Sequence, residues 1–192
     1  MRRLWSLLRD PVGFLESARN ENWVPAFVFF VEVTALLSIM TPIMNYVGIE
    51  STDFSSAFQA QIMAFRLVEK YLLPSYGAFA YVIEPLVIVS FACLMLCFLT
   101  IFLHAVCKIM GGTGGILNAW KMTCYGVGPC ILGGFLPYVA LFAAFYSLLM
   151  QLYIGPRTLY RVSESRALVF LAIVIALTFS EMFAFGTTAI RF

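Results

Sequence analysis

The sequence runs to 192 residues, of which 62% are hydrophobic and only 11% charged, with a formal net charge of +2. A soluble domain is roughly half apolar and a quarter charged, so this balance excludes a soluble enzyme and makes lipid the reasonable solvent. The weak, scattered positive charge gives no argument for nucleic acid, and no such partner is expected; the length fits one compact bundle without a large appended domain.

Residues 1–22 form an amphipathic segment rather than a span. Leu4, Leu7 and Leu8 share a face, and Asp10-Pro11 pairs an N-cap with a first-turn proline that starts a second short helix carrying Phe14 and Leu15. With Arg2, Arg3, Arg9 and Arg19 alongside, the segment suits an anionic cytoplasmic surface. Packing against the bundle is the equal alternative. Arg9, Asp10, Pro11, Glu16 and Arg19 interrupt any signal-peptide core, so targeting is expected to fall to the first span.

The first span is Trp23 to Val47, with Glu32 as its only charge and Trp23 suited to the interface. A polar stretch from Gly48 to Tyr81 follows. There Ser51, Thr52 and Asp53 offer caps, and Phe54, Phe58, Ile62, Phe65, Val68 and Leu72 fall on one helical face. Arg66, Glu69 and Lys70 argue against a span, so this is an amphipathic helix at the outer interface or capping the bundle, ended by Pro74.

The second span is Ile83 to Met110, opened by Glu84-Pro85 and closed near Lys108. The run Gly111-Gly112-Thr113-Gly114-Gly115 lacks the Gly-Lys-Ser/Thr ending of a phosphate loop and has no strand before it, so it reads as a tight, mobile turn. Leu117 to Gly155 is too long for one helix. Gly133-Gly134 and Pro137 divide it into a third span, Leu117 to Phe135, and a fourth, Pro137 to Ile154, with a re-entrant pair as the alternative. A basic connector, Pro156 to Arg166, carries Arg157, Arg161 and Arg166 and offers Ser163 as a cap. The fifth span is Ala167 to Thr188, with Glu181 inside it.

The expected fold is therefore an all-α integral membrane protein, a five-helix transmembrane bundle over residues 23–192 with amphipathic N-terminal and outer interfacial helices. With the N-terminus inside, Arg2, Arg3, Arg9, Arg19, Lys108, Lys121, Arg157, Arg161 and Arg166 are cytoplasmic, against Arg66, Lys70 and Arg191 outside. That asymmetry favours a multi-pass cell-membrane protein, N-in and C-out. Cys93, Cys97, Cys107, Cys124 and Cys130 all lie in or beside apolar runs and read as free thiols rather than a disulfide framework.

In order and spacing, several motifs resemble the Yip1-domain family in its compact prokaryotic form. Leu7-Leu8-Arg9-Asp10-Pro11-Val12-Gly13-Phe14 resembles its Leu/Pro/Phe opening, with Trp23 and Pro25 leading into the first span. His104 to Gly115 is similar to its second helix and glycine-rich loop. Tyr125-Gly126-Val127-Gly128-Pro129 resembles its third-helix signature, and Ser163-Glu164-Ser165-Arg166-Ala167-Leu168 its step into the fifth helix. The resemblance covers nearly the whole chain and implies five spans with a cytoplasmic N-terminus. It links eukaryotic members to vesicle traffic and Rab-type GTPases. Those members carry a long cytosolic N-terminal region that has no counterpart here, so a GTPase partner is not expected.

Glu32 and Glu181 are the sharpest polar leads, because an ionised carboxylate inside a span costs at least ~2.5 kcal/mol. Each should be protonated, face water, or find Thr34, Ser38, Tyr125, Tyr146 or Ser180 as a partner. The candidate intramembrane polar site is Glu32, Glu181, Tyr125 and Ser180. It serves either a proton or cation path, or two neutral acids that cross-link helices. Glu84 reads as interfacial, and Lys121 as snorkelling. Tyr153 and Tyr160 read as markers of the inner interface. His104 approaches the face of Cys97 and Cys107, but a metal would need a fourth ligand such as Cys124. A hydrogen-bonded histidine is the stronger reading, and no metal or cofactor is expected.

Gly126, Cys130 and Gly134 step by four, as do Ala140 with Ala144 and Ala172 with Ala176, a pattern that lets backbones approach within the bundle or across a homodimer. Gly128-Pro129 should kink or unwind the third helix. Arg157, Arg161 and Arg166 form the cytoplasmic basic surface. Protease and hydrolase motifs are absent from the sequence. The expected function is thus a non-enzymatic membrane-organising or trafficking-type adaptor. It would act on the bilayer and on other membrane proteins or a second copy. The alternative is a small channel or transporter for protons, ions or small solutes.

Overall fold

The computed structural model describes residues 2–46, 70–71, 73–135 and 139–189, and among them every regular element is helical. The chain opens with α1 (Arg2–Arg9) and α2 (Pro11–Ala18). The Asp10 carboxylate caps α2 by accepting from the Gly13 N–H at 3.0 Å, and Pro11 sits where its missing N–H costs nothing. Leu7, Leu15 and Ala18 are buried while Trp5 stands 70% exposed, so the pair packs against the bundle through one face.

Helix α3 (Val24–Tyr46) buries Ala26, Phe29, Phe30 and Val33, one helical stripe. A helical turn at Leu73–Tyr76 and a 3₁₀ turn at Gly77–Phe79 then lead into α4 (Ala80–Ile109). Ala80, Glu84, Leu96, Thr100, Leu103 and Cys107 are buried, whereas Leu86, Phe91, Leu94, Phe98, Ile101 and Phe102 are exposed. A continuous exposed strip of such side chains requires an apolar surround. Val82–Ile109 is the one helix among the described residues long and apolar enough to cross a membrane, and Val24–Met40 is a shorter apolar stretch. The amphipathic helix expected over Phe54 to Leu72, with its caps and with Arg66 and Glu69, lies outside the described residues, as do Pro137, Arg191 and the side chain of Glu181.

Helix α5 (Ile116–Gly126) is the central pillar, buried continuously from Lys121 to Gly126 and packed on α3 and α4. The chain leaves helical geometry over Val127–Pro129 and resumes as α6 (Cys130–Phe135). Pro129 has no N–H to offer the Tyr125 carbonyl, which accepts from Gly128 N–H at 3.0 Å instead. The Gly126 carbonyl accepts from the Ser147 hydroxyl, which in turn accepts from Gln151 Nε2 at 3.2 Å. The freed backbone is thus satisfied inside the protein, as membrane depth demands. A Cβ on Gly128 would meet Leu7 at 2.6 Å, and one on Gly126 or Gly134 would run into Gln151 or Leu37, so these glycines set close backbone approaches.

Helix α7 (Ala140–Leu149) continues through a π-helical turn, Met150–Ile154, into α8 (Gly155–Tyr160). The stretch expected as a basic connector, Pro156 to Arg166, is helical to Tyr160, with Pro156 at its first turn, where proline is tolerated. Arg161 ends α8 in the left-handed region, φ 57° and ψ 34°, a conformation that costs a non-glycine residue about 1–2 kcal/mol. Helix α9 (Glu164–Ala189) begins three residues before the expected fifth span.

The glycine-rich run is packed rather than loose. Its physical reason is Tyr160, which is buried instead of marking an interface. The ring lies where Cβ atoms on Gly112 and Gly114 would sit, 3.0 and 2.9 Å away. Thr113 N–H donates to the Tyr160 carbonyl at 2.9 Å, and the Tyr160 hydroxyl donates to the Gly115 carbonyl at 2.9 Å. Gly114→Ala would also set a methyl 2.9 Å from the Leu159 carbonyl oxygen, whereas Gly115→Ala meets nothing within 4 Å. Thermal melts in detergent should show a loss of about 1–3 kcal/mol for Gly114→Ala and a smaller loss, at most about 1 kcal/mol, for Gly115→Ala, which meets open space but puts alanine at the N-cap of α5. Equal effects would refute the packed turn.

Candidate functional site

Among the described residues, Glu32, Tyr125 and Ser180 do not come together in one polar site, and the side chain of Glu181 lies outside those residues. Glu32 is exposed, at the edge of the buried stripe of α3, and lines a shallow cavity of about 280 Å³ with Leu4, Phe29, Val33, Leu36 and Ile131. Ser180 is exposed and its hydroxyl donates to the Leu177 carbonyl at 2.8 Å. Tyr125 is fully buried, but its hydroxyl does not bond to Glu32. It accepts from Arg3 Nη1 at 2.9 Å and donates to Glu21 Oε2 at 3.3 Å.

Tyr125 is instead the hub of a cluster that fastens the N-terminal helices to the pillar. Arg3 of α1 pairs with Glu21 of the α2–α3 linker at 2.9 Å. The Glu21 carboxylate, chiefly through its hydrogen bond, holds the Arg3 guanidinium above its ordinary pKa. The Phe14 ring of α2 meets the Tyr125 ring edge-on at 4.8 Å, and Phe29 of α3 lies at 5.3 Å. Lys121, expected to snorkel, is 4% exposed and donates to the Arg19 carbonyl at 2.8 Å. The last turn of α2 covers the water it would otherwise reach. Arg3 and Glu21 carried no local signal, because their partner Tyr125 lies more than a hundred residues away in sequence.

Glu84 is the acid whose place differs most from its reading. It is 1% exposed, and among the described residues neither carboxyl oxygen has a hydrogen-bond partner. The sequence puts it at the edge of an apolar run, but α4 turns it inward. His104 lies at 2.6 Å from the Tyr160 hydroxyl through Nδ1. Since that hydroxyl donates to Gly115, the contact calls for a proton on Nδ1. Burial pushes the Tyr160 phenol above its ordinary pKa range. Cys97 is exposed and Cys107 buried, and no cluster of His, Cys, Asp and Glu suited to a metal is found among the described residues.

The basic trio divides. Arg157 pairs with Glu164 at 3.2 Å and donates to the Tyr153 hydroxyl at 2.8 Å. Arg166 Nη1 donates to the Met110 carbonyl at 2.8 Å, fastening α9 to the end of α4. Arg161 stays exposed with no such bond among the described residues.

No curated protein and no solved structure matches the chain significantly. The Yip1 domain family model does, over residues 5–185. That interval runs from the docked α1 through the broken pillar and the packed glycine turn into the last helix. The chain, helical in every regular element among its described residues, with an exposed apolar face on α4 and matched over nearly its whole length, is a membrane protein of the Yip1 type and belongs to the Yip1-domain family.

Proposed function

We propose that this protein is a non-enzymatic, membrane-organising adaptor, crossing the cell membrane five times with its N-terminus in the cytoplasm. It works through its exposed apolar helix faces and N-terminal helices, on the bilayer and on other membrane proteins or a second copy of itself. The observation that carries the reading is the dispersal of the polar groups. Among the described residues, Glu32 opens outward, Glu84 is enclosed without a hydrogen-bond partner, and Tyr125 is tied to Arg3 and Glu21. A transport path would need such groups to line one continuous route.

Reconstitution tests this directly. Proteoliposomes loaded with a pH-sensitive dye and challenged with proton and potassium gradients should leak no faster than protein-free vesicles, and Glu32→Gln and Glu181→Gln should alter stability alone. Flux above that background, reduced by Glu181→Gln, would replace the adaptor reading with the channel or transporter. Labelling of tags at the two chain ends should place them on opposite faces.

A further inference from the structure

We propose that the cleft between α2 and α8 binds the phosphodiester headgroup of an anionic phospholipid, with Arg161 and Arg19 as its guanidinium contacts. The cleft has a volume of about 990 Å³. Arg19, Asn20, Arg157 and Arg161 line it, with Val12 and Ile154 as apolar wall. It therefore offers cationic donors beside aliphatic surface, the combination a headgroup and its glycerol backbone present.

The charges decide which arginines are available. Glu164 also lines the cleft, but it is committed to Arg157 at 3.2 Å and to the Tyr153 hydroxyl at 2.8 Å. That triad is a fixed, nearly neutral wall. Arg19 and Arg161 have no hydrogen-bond or ion-pair partner for their guanidinium groups among the described residues. Glu16 is the remaining charge on the lining. Two free guanidinium groups against one carboxylate leave a single net positive charge, which complements a monoanionic phosphodiester better than a polyphosphate. Arginine's planar fork is suited to phosphate oxygens.

Backbone geometry points to the same side chain. Arg161 is the sole non-glycine with positive φ among the described residues. It occupies the position just past a helix end where glycine is the usual occupant. A strained residue at a cleft is a reason to look for a use of its side chain.

Depth argues for a lipid over a soluble phosphate. Glu164 on the rim starts α9, and Leu168 and Val169, about 6 Å further along the helix at 1.5 Å per residue, are exposed apolar side chains. The cleft thus lies within about one helical turn of lipid-facing surface, at headgroup level.

The test uses the full chain in phosphatidylcholine nanodiscs with and without phosphatidylglycerol, read by thermal unfolding and by native mass spectrometry of retained lipid. Phosphatidylglycerol should raise the melting temperature and be retained, whereas inorganic phosphate and glycerol 3-phosphate should do neither. Arg161→Gly removes the guanidinium and relieves the backbone at once. It should weaken phosphatidylglycerol retention about tenfold, the loss of one charge-assisted contact. Its melting temperature in phosphatidylcholine alone should be unchanged or higher. Lys108→Gln, an exposed cation outside the cleft, should leave retention intact. Full retention in Arg161→Gly, or equal loss in Lys108→Gln, would overturn the proposal. A response to the soluble phosphates would overturn the lipid assignment.

Discussion

Replacing Tyr125 by alanine is expected to cost about 3–5 kcal/mol, the range for deleting a fully buried aromatic side chain. The effect should concentrate at one end of the molecule. The ring holds Phe14 of α2 and Phe29 of α3, and the hydroxyl holds Arg3 of α1 and Glu21 of the linker. Tyr125→Phe keeps the ring contacts and loses the two hydrogen bonds, so it should cost about 1–2 kcal/mol. The Arg3–Glu21 pair is partly exposed and contributes little alone, so Arg3→Gln should lie below Tyr125→Phe. Hydrogen exchange by mass spectrometry separates this from general loosening. In Tyr125→Ala, residues 2–21 should exchange much faster, with α4 unchanged. Uniform acceleration along the chain, or a loss under ~1 kcal/mol, would show that α1 and α2 dock by other means.

The sequence disclosed position along each helix far better than direction around it. The runs beginning at Trp23, Ile83 and Ala167 correspond to α3, α4 and α9 within a few residues, because apolar length and flanking polar residues mark where a helix can begin and stop. The Asp10-Pro11 start of α2 was equally plain, since a cap and a first-turn proline act locally. Azimuth was not legible. When lipid faces one side of a helix and protein the other, both sides are apolar, and the periodicity that marks a buried face in a soluble helix fades. So Glu32, in the middle of an apolar run, suggested an interior acid and lies exposed. Glu84, at the edge of one, suggested an interfacial acid and lies enclosed.

Lys121, Tyr160 and the glycine run differ from their local expectations for one cause: each takes its character from a segment distant in sequence. Lys121 is capped by the Arg19 carbonyl, and the glycines close on Tyr160 more than forty residues later. Glycine in a turn predicts freedom only while nothing packs against it. Here the absence of Cβ atoms is what admits the tyrosine ring. Tyr125 follows the same rule: its partners Arg3 and Glu21 come from the N-terminal segment, which no spacing rule could connect to it.

Glu84→Leu is expected to make the protein more stable, by about 2 kcal/mol. Ionised or neutral, a carboxyl group with both oxygens enclosed and unpaired forfeits its solvation without recovering a hydrogen bond. Leucine removes that penalty at comparable volume and keeps the helix propensity of α4. Glu84→Gln should bring no gain, because an amide adds donors that also require partners. The expected order of melting temperature in detergent is therefore leucine above wild type, with glutamine at or below it. Few buried substitutions of a natural residue should stabilise, so this one is diagnostic. Leucine and glutamine variants that are both clearly destabilised would mean that the carboxyl holds a bound cation or ordered water of its own. In that case the acid to follow in flux measurements would be Glu84 rather than Glu32 or Glu181. A stabilised leucine variant that still associates normally with the membrane would instead identify Glu84 as an uncompensated cost inside α4, with no part in transport.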